Sequence, residues 1–152
     1  MSVAFDSDVD LVVEIGFDSE PFDNPQTFTD ISQYVRGFTM KRGRSNELDQ
    51  FVSGTATLLL SNADNRFNPE QTTYYYDSVN QITKIQPQKV VRISAIHNSI
   101  TYRLFFGYLT DIPVQYPAEG ADSIVQFRAV DLFKTMNSTT LLANSWQAGL
   151  SG

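Results

Sequence analysis

The sequence predicts a mainly β protein, an antiparallel β-barrel or sandwich with one short C-terminal helix. Apolar and polar residues alternate along most of the chain, which is the side-chain repeat of half-buried strands. Clusters of Asn, Asp, Gly and Pro interrupt the alternating runs at short intervals. Helical signals are too few to supply the crossovers of a parallel sheet, which excludes an α/β fold.

The first run places Leu11, Val13, Ile15 and Phe17 on one face, against Val12, Glu14, Gly16 and Asp18. Ser19 to Thr29 holds Pro21 and Pro25, which cannot donate ladder hydrogen bonds, and reads as a loop. Ile31 to Val35 fits either a helical turn or an extended piece. Gly37 to Arg42 reads as a strand with Phe38 and Met40 on one side, and Gly43 to Asp49 as a polar loop. In the next strand Ala56, Leu58 and Leu60 face inward, and Leu59 breaks the polar side. Asn62 to Gln71 is a turn cluster. Tyr74 to Gln88 has no clean period and is read as crossing the end of a sheet.

Val91, Ile93 and Ala95 mark the following strand. Asn98–Ser99 is a hairpin turn into Tyr102, Leu104 and Phe106, with Arg103 on the other face. Gly107 suits a bulge or a sharp bend before Leu109 to Tyr116. Pro117 to Asp122 reads as a loop, and Val125, Phe127 and Ala129 as the inward side of the last strand. Asp131 then fits a helix N-cap, with Leu132, Phe133 and Met136 forming a short amphipathic helix.

The chain of 152 residues suits one domain, residues 1–140, followed by a C-terminal arm or the start of a linker at 141–152. It holds no cysteine, so disulfides, thiolate nucleophiles and cysteine-bound metal centres are excluded. The net charge of −6 repels a phosphate backbone. The basic patch Arg36, Lys41, Arg42 and Arg44 lies beside Glu47 and Asp49 and reads as a solvated edge or a polar protein interface. No sequence-specific nucleic-acid binding is expected. No stretch reaches the ~20 apolar residues of a helical membrane span, and no membrane insertion is expected. The acidic segment MSVAFDSDVD lacks the features of a secretory signal, so a soluble, cytoplasmically made component is expected.

Chemistry-bearing motifs are missing. His97 is the lone histidine and has no metal-ligand context. No nucleophile elbow, P-loop or dinucleotide fingerprint occurs. Asp64, Glu70, Asp77 and Asp111 are the candidate carboxylates for glycoside hydrolysis, but nothing in the sequence buries one and pairs it with another. Asn62, Asp64 and Asn68 carry oxygens suited to calcium, yet Arg66 stands among them; bonds from side chain to backbone are the better reading. No catalytic residue, cofactor or metal ligand is assigned. The candidate interface residues are Leu59, the aromatic run Tyr74, Tyr75 and Tyr76, weighed against core packing, and Trp146, an intersubunit or interdomain anchor.

Arg36-Gly37, Arg42-Gly-Arg44 and Glu47-Leu48 precede GTATLLLSNADNRFNPE, and the Tyr-rich segment, VVRISA, LFFGYLTD and VQFRAVDLFKTM come after it in order. This series resembles the N-terminal region of minor tail proteins of long-tailed bacteriophages, which build the tail tip or baseplate hub or form the distal tail ring. The resemblance runs from about Val13 to Met136. It implies a β-barrel-type tail-hub domain with an architectural role and no enzymatic one. It also implies self-assembly into a ring, a trimer or a hexamer. The expected partners are the tail tube protein and other tail-tip or baseplate proteins, in a virion assembled in the host cytoplasm. The alternative is a carbohydrate-binding β-sandwich module that recognises a host surface glycan through Tyr74 to Tyr76 and Trp146.

Overall fold

A computed structural model of the protein describes residues 9–41, 54–115 and 123–132. The strands are β1 (Val9–Ile15), β2 (Thr29–Asp30), β3 (Val35–Lys41), β4 (Thr55–Ser61), β5 (Tyr76–Asp77), β6 (Ile82–Thr83), β7 (Val90–His97), β8 (Ile100–Asp111), β9 (Val114–Gln115) and β10 (Ile124–Asp131). The protein is mainly β, and all pairings among the described residues are antiparallel. The main sheet runs β2-β1-β7-β8-β10-β4-β3, with β9 also paired to β10, and β5-β6 is a separate hairpin. A 3-10 turn, Ser32–Tyr34, joins β2 to β3 and resolves the ambiguous Ile31 to Val35 segment.

One hydrophobic core lies on the inner face. It takes Val13 and Ile15 from β1, Ala56, Leu58 and Leu60 from β4, Val91 and Ile93 from β7, Phe105 and Leu109 from β8, and Val125, Phe127 and Ala129 from β10. Each of these is at most 2% exposed. Full burial of a Leu, Ile or Phe contributes about 1.5–3 kcal/mol, so alternation drives the sheet together. The predicted inward residues of β1, β4 and β10 are those found. Phe38 shares the inner face with Met40 but remains 40% exposed on the edge strand.

β8 departs from the expected pattern. Ile93 pairs with Phe105 while Ser94 pairs with Arg103, so Leu104 is an extra residue. This bulge reverses the parity of the strand. Phe105 turns inward at 2% exposure and Phe106 turns outward at 37%, the opposite of the sequence expectation. A second bulge falls at Thr110, between the pairs Arg128↔Asp111 and Ala129↔Leu109. Gly107 is not the bulge. It sits where β8 crosses close to β10, and a Cβ there would lie 2.1 Å from the Val130 carbonyl oxygen.

The β7–β8 turn is as predicted. Asn98 and Ser99 both have positive φ, 49° and 62°, as a two-residue type I′ hairpin requires. The Ser19 to Thr29 loop is held by the Gln26 side chain, whose Nε2 donates to the Glu20 carbonyl at 2.9 Å and the Asp23 carbonyl at 3.0 Å. Buried Lys89 donates to the Ser19 carbonyl at 3.0 Å. Asp131 closes the last strand: its N–H donates to the Gly54 carbonyl, and its carboxylate accepts from the Gly54 N–H at 2.6 Å. The predicted C-terminal helix lies outside the described residues beyond Leu132, as do the 43–49 loop, the 117–122 loop and the arm 141–152.

Candidate interface surfaces

One end of the core is sealed by aromatic residues that a series of turns puts in place. Asn62, Asn65 and Asn68 stand three apart in sequence. Asn65 N–H donates to the Asn62 carbonyl, Asn68 N–H to the Asn65 carbonyl, and Gln71 N–H to the Asn68 carbonyl. The Asn62 side chain is buried and its Oδ1 accepts from Phe67 N–H at 2.8 Å. That bond aims Phe67 into the core, where it meets Phe127 edge-on at 5.6 Å. Tyr75 stacks between Phe17, at 4.1 Å, and Phe67, at 5.7 Å. The Tyr-rich segment therefore crosses the end of the sheet, and Tyr75 is spent on packing. Burial pushes its phenol above the ordinary range.

Arg66 covers the outside of this seal. Its guanidinium lies 4.2 Å from the Tyr34 ring centre and 4.7 Å from that of Tyr74. It donates to the Tyr34 hydroxyl and to Oδ2 of Asp64. The hydrogen bond from Arg66 holds the Asp64 carboxyl below its ordinary range. The oxygens expected as possible calcium ligands are thus engaged: Asp64 with Arg66, and Asn62 and Asn68 with backbone N–H groups. Tyr74 stays 39% exposed but has one ring face against Arg66, and Tyr76 is half-buried in β5.

At the opposite end the inner face runs on past the core. Register aligns Val13, Ile93 and Phe105, then Leu11, Ala95 and Tyr102, then Val9, His97 and Ile100. The first row is buried. In the outer rows Val9 is 56%, Ile100 55% and Tyr102 49% exposed. The alternation that fills the core thus continues on a bare stretch of β1, β7 and β8. Sequence reasoning missed this patch; the signal was present in Ile100 and Tyr102, which come after the hairpin turn with the spacing of a buried face.

The outer face has its own features. Leu59 projects from β4 between Gly37 and Gln126 and is 37% exposed. Val90, Tyr108 and Val130 form a cross-strand row that is at most 7% exposed, although none belongs to the inner core. The ring of Phe22, itself 80% exposed, lies 6.1 Å from that of Tyr108. Val12, Glu14, Arg92, Ser94, Thr101 and Arg103 line a shallow groove of about 530 Å³. Arg92 spans it as a two-point ion pair with Glu14, at 2.7 and 2.8 Å, beneath the Phe28 ring.

Three of the four candidate carboxylates, Asp64, Asp77 and Asp111, have partners of their own. Asp77 accepts from Val79 and Asn80 in a turn, Asp111 lies 3.4 Å from Arg128, and Glu70 is exposed. His97 stands beside Asn98 at the hairpin tip. Among the described residues no three His, Asp or Glu side chains gather as a metal-ion site. Among them, too, no helix is long and apolar enough to cross a membrane. Of the basic patch, Arg36 donates to Ser61 and Lys41 ends β3, while Arg42 and Arg44 lie outside the described residues, as does the candidate anchor Trp146. No protein-family model matches the chain, and no curated protein matches it.

Proposed function

We propose that this chain is a structural component of a bacteriophage tail tip or baseplate. In this reading it forms a ring at the distal end of the tail tube. It joins the tube to receptor-binding or cell-wall-degrading parts, has no enzymatic role and resides in the virion. The order of sequence motifs from Arg36 to Met136 motivates the reading. The observation that carries it furthest is the bare apolar stretch of Val9, Ile100 and Tyr102. Large exposed apolar patches mark contact surfaces, and an architectural protein needs such surfaces rather than a reaction site. Leu59 on the outer face adds a second exposed apolar position.

A barrel suits this role and has support in the connectivity. β2 and β3 stand at opposite ends of the strand order, yet only residues 31–34 separate them in sequence. Five peptide steps reach at most about 18 Å. A flat sheet would hold these strands about 29 Å apart, six spacings of roughly 4.8 Å. This short connection supports a rolled main sheet whose two edges approach each other. The glycan-binding alternative is less well supported, because Tyr75 is stacked inside and Tyr74 has a face on Arg66.

Negative-stain images and mass measurement of the purified chain, alone and with tail tubes, test the proposal. Rings of three or six copies, or decoration of tube ends, are the expected result. A persistent monomer that ignores tail tubes overturns it.

A further inference from the structure

We propose that the outer face of β1, β7 and β8 binds an extended segment of a partner protein, one that carries a carboxylate and then apolar side chains at every second residue. This surface is separate from the bare apolar end, and its binding does not depend on ring formation. Register puts the pieces side by side. Glu14, Arg92 and Phe106 form one cross-strand row of this face, and Val12, Ser94 and Arg103 the next. Arg92 is answered by Glu14. Arg103 is exposed and meets no carboxylate among the described residues. Its guanidinium stands 5.7 Å from the Phe106 ring centre, a contact that holds the cation in place without neutralising it. Ser94 and Thr101 line the same groove, and neither hydroxyl is bonded within the fold among the described residues. An unanswered cation beside two hydroxyl donors suits a carboxylate, which accepts from all three.

Aromatic rings continue the surface. The steps from Arg103 to Phe106, from Phe106 to Tyr108 and from Tyr108 to Phe22 are 5.7, 6.5 and 6.1 Å. Same-face side chains of an extended chain repeat at close to this spacing, roughly every 6.5–7 Å. Such a segment can set its carboxylate on Arg103, one apolar side chain on Phe106 and the next against Phe22. Phe22 needs little ordering to take part. Its loop is already fixed by Gln26 Nε2, which donates to the Glu20 and Asp23 carbonyls, and by Glu20 N–H, which donates to Asp23 Oδ2 at 2.8 Å. A ring held ready in this way loses less entropy on binding than a mobile one. Charge selects the occupant, because a neutral segment leaves Arg103 unanswered and a basic one is repelled.

Two blocked peptides, Ser-Glu-Ser-Leu-Ser-Leu-Ser and its reverse, are the probes, each with a counterpart that has Gln in place of Glu. Amide chemical shifts of the isotope-labelled chain report binding. Saturable shifts at Ser94, Arg103 and Phe106 with at least one acidic peptide are the expected result. Arg103→Gln, or the Gln peptide, should weaken binding by roughly tenfold, and the two changes together by little more than either, as a direct pair requires. Phe22→Ala should weaken it as well. Both side chains are exposed, and thermal melting checks that the variants fold. No shifts with either acidic peptide, or binding that ignores Arg103→Gln, overturns the proposal. Shifts at these residues that grow with protein concentration and need no peptide also overturn it, and make a second copy the occupant. Imaging and mass measurement judge the ring reading separately.

Discussion

Asp64 shows how a residue can be chosen for a local contact and mimic a site. Its carboxylate, between two asparagines, has the chemistry of a calcium ligand, but it belongs to Arg66. That contact predicts a pH dependence. A carboxyl whose folded pKa is depressed adds stability above its ordinary value, near 3.8, and loses it as pH falls through the folded value. Asp64→Asn should therefore destabilise by about 0.5–1 kcal/mol at pH 7, a modest sum because the side chain is 39% exposed. Urea unfolding at pH 7 and at successively lower pH should show the difference shrink once the pH falls below about 3.8. Gly107 poses a harder constraint. Its missing Cβ leaves room for the Val130 carbonyl, and backbone cannot move aside as a side chain can. Gly107→Ala should cost more than about 3 kcal/mol or prevent folding, read from expression and denaturant melts.

Strands with intact alternation were legible in the sequence, and the physical reason is simple. The inward sets of β1, β4 and β10 repeat without interruption, so period alone places Val13, Leu58 and Phe127 in the core. β8 was misread because a single inserted residue, Leu104, inverts the stretch between it and the turn relative to the remainder of the strand. Nothing local distinguishes LFF with Leu104 inward from LFF with Phe105 inward. The turn itself was legible, since Asn-Ser tolerates positive φ better than most pairs. It is not optimal: Ser99 bears a left-handed φ of 62°. Ser99→Gly should stabilise the hairpin by about 0.5–1 kcal/mol, seen as a higher urea midpoint with an unchanged slope. The placement of Tyr75 under Phe17 was only half legible, because stacking between distant segments leaves no periodic trace.

At the scale of the molecule, sequence neighbours and spatial neighbours disagree. β2 and β3 are adjacent in the chain and lie at opposite limits of the sheet, an order that no pattern of residues announces. The apolar spacing of Ile100 and Tyr102 is legible in the sequence, but the exposure of that end of β1, β7 and β8 is not, because it depends on where other strands stop. If that end is a contact surface, Ile100→Ser with Tyr102→Ser should reduce self-association at tens of micromolar protein. The same pair should move the melting temperature by no more than about 4 °C, because both side chains are already half in water. Light scattering and calorimetry on one sample separate the two effects.

β10 lies between β8 and β4 although it is made after both. During synthesis the ribosome therefore releases two unjoined pieces, β3 with β4 and β1 with β7 and β8. They are expected to stay unjoined until roughly the hundred-and-thirtieth residue clears the exit tunnel. A nascent chain stalled before Ile124 should be the form that chaperones grip and proteases cut, and release of that one strand should turn it resistant.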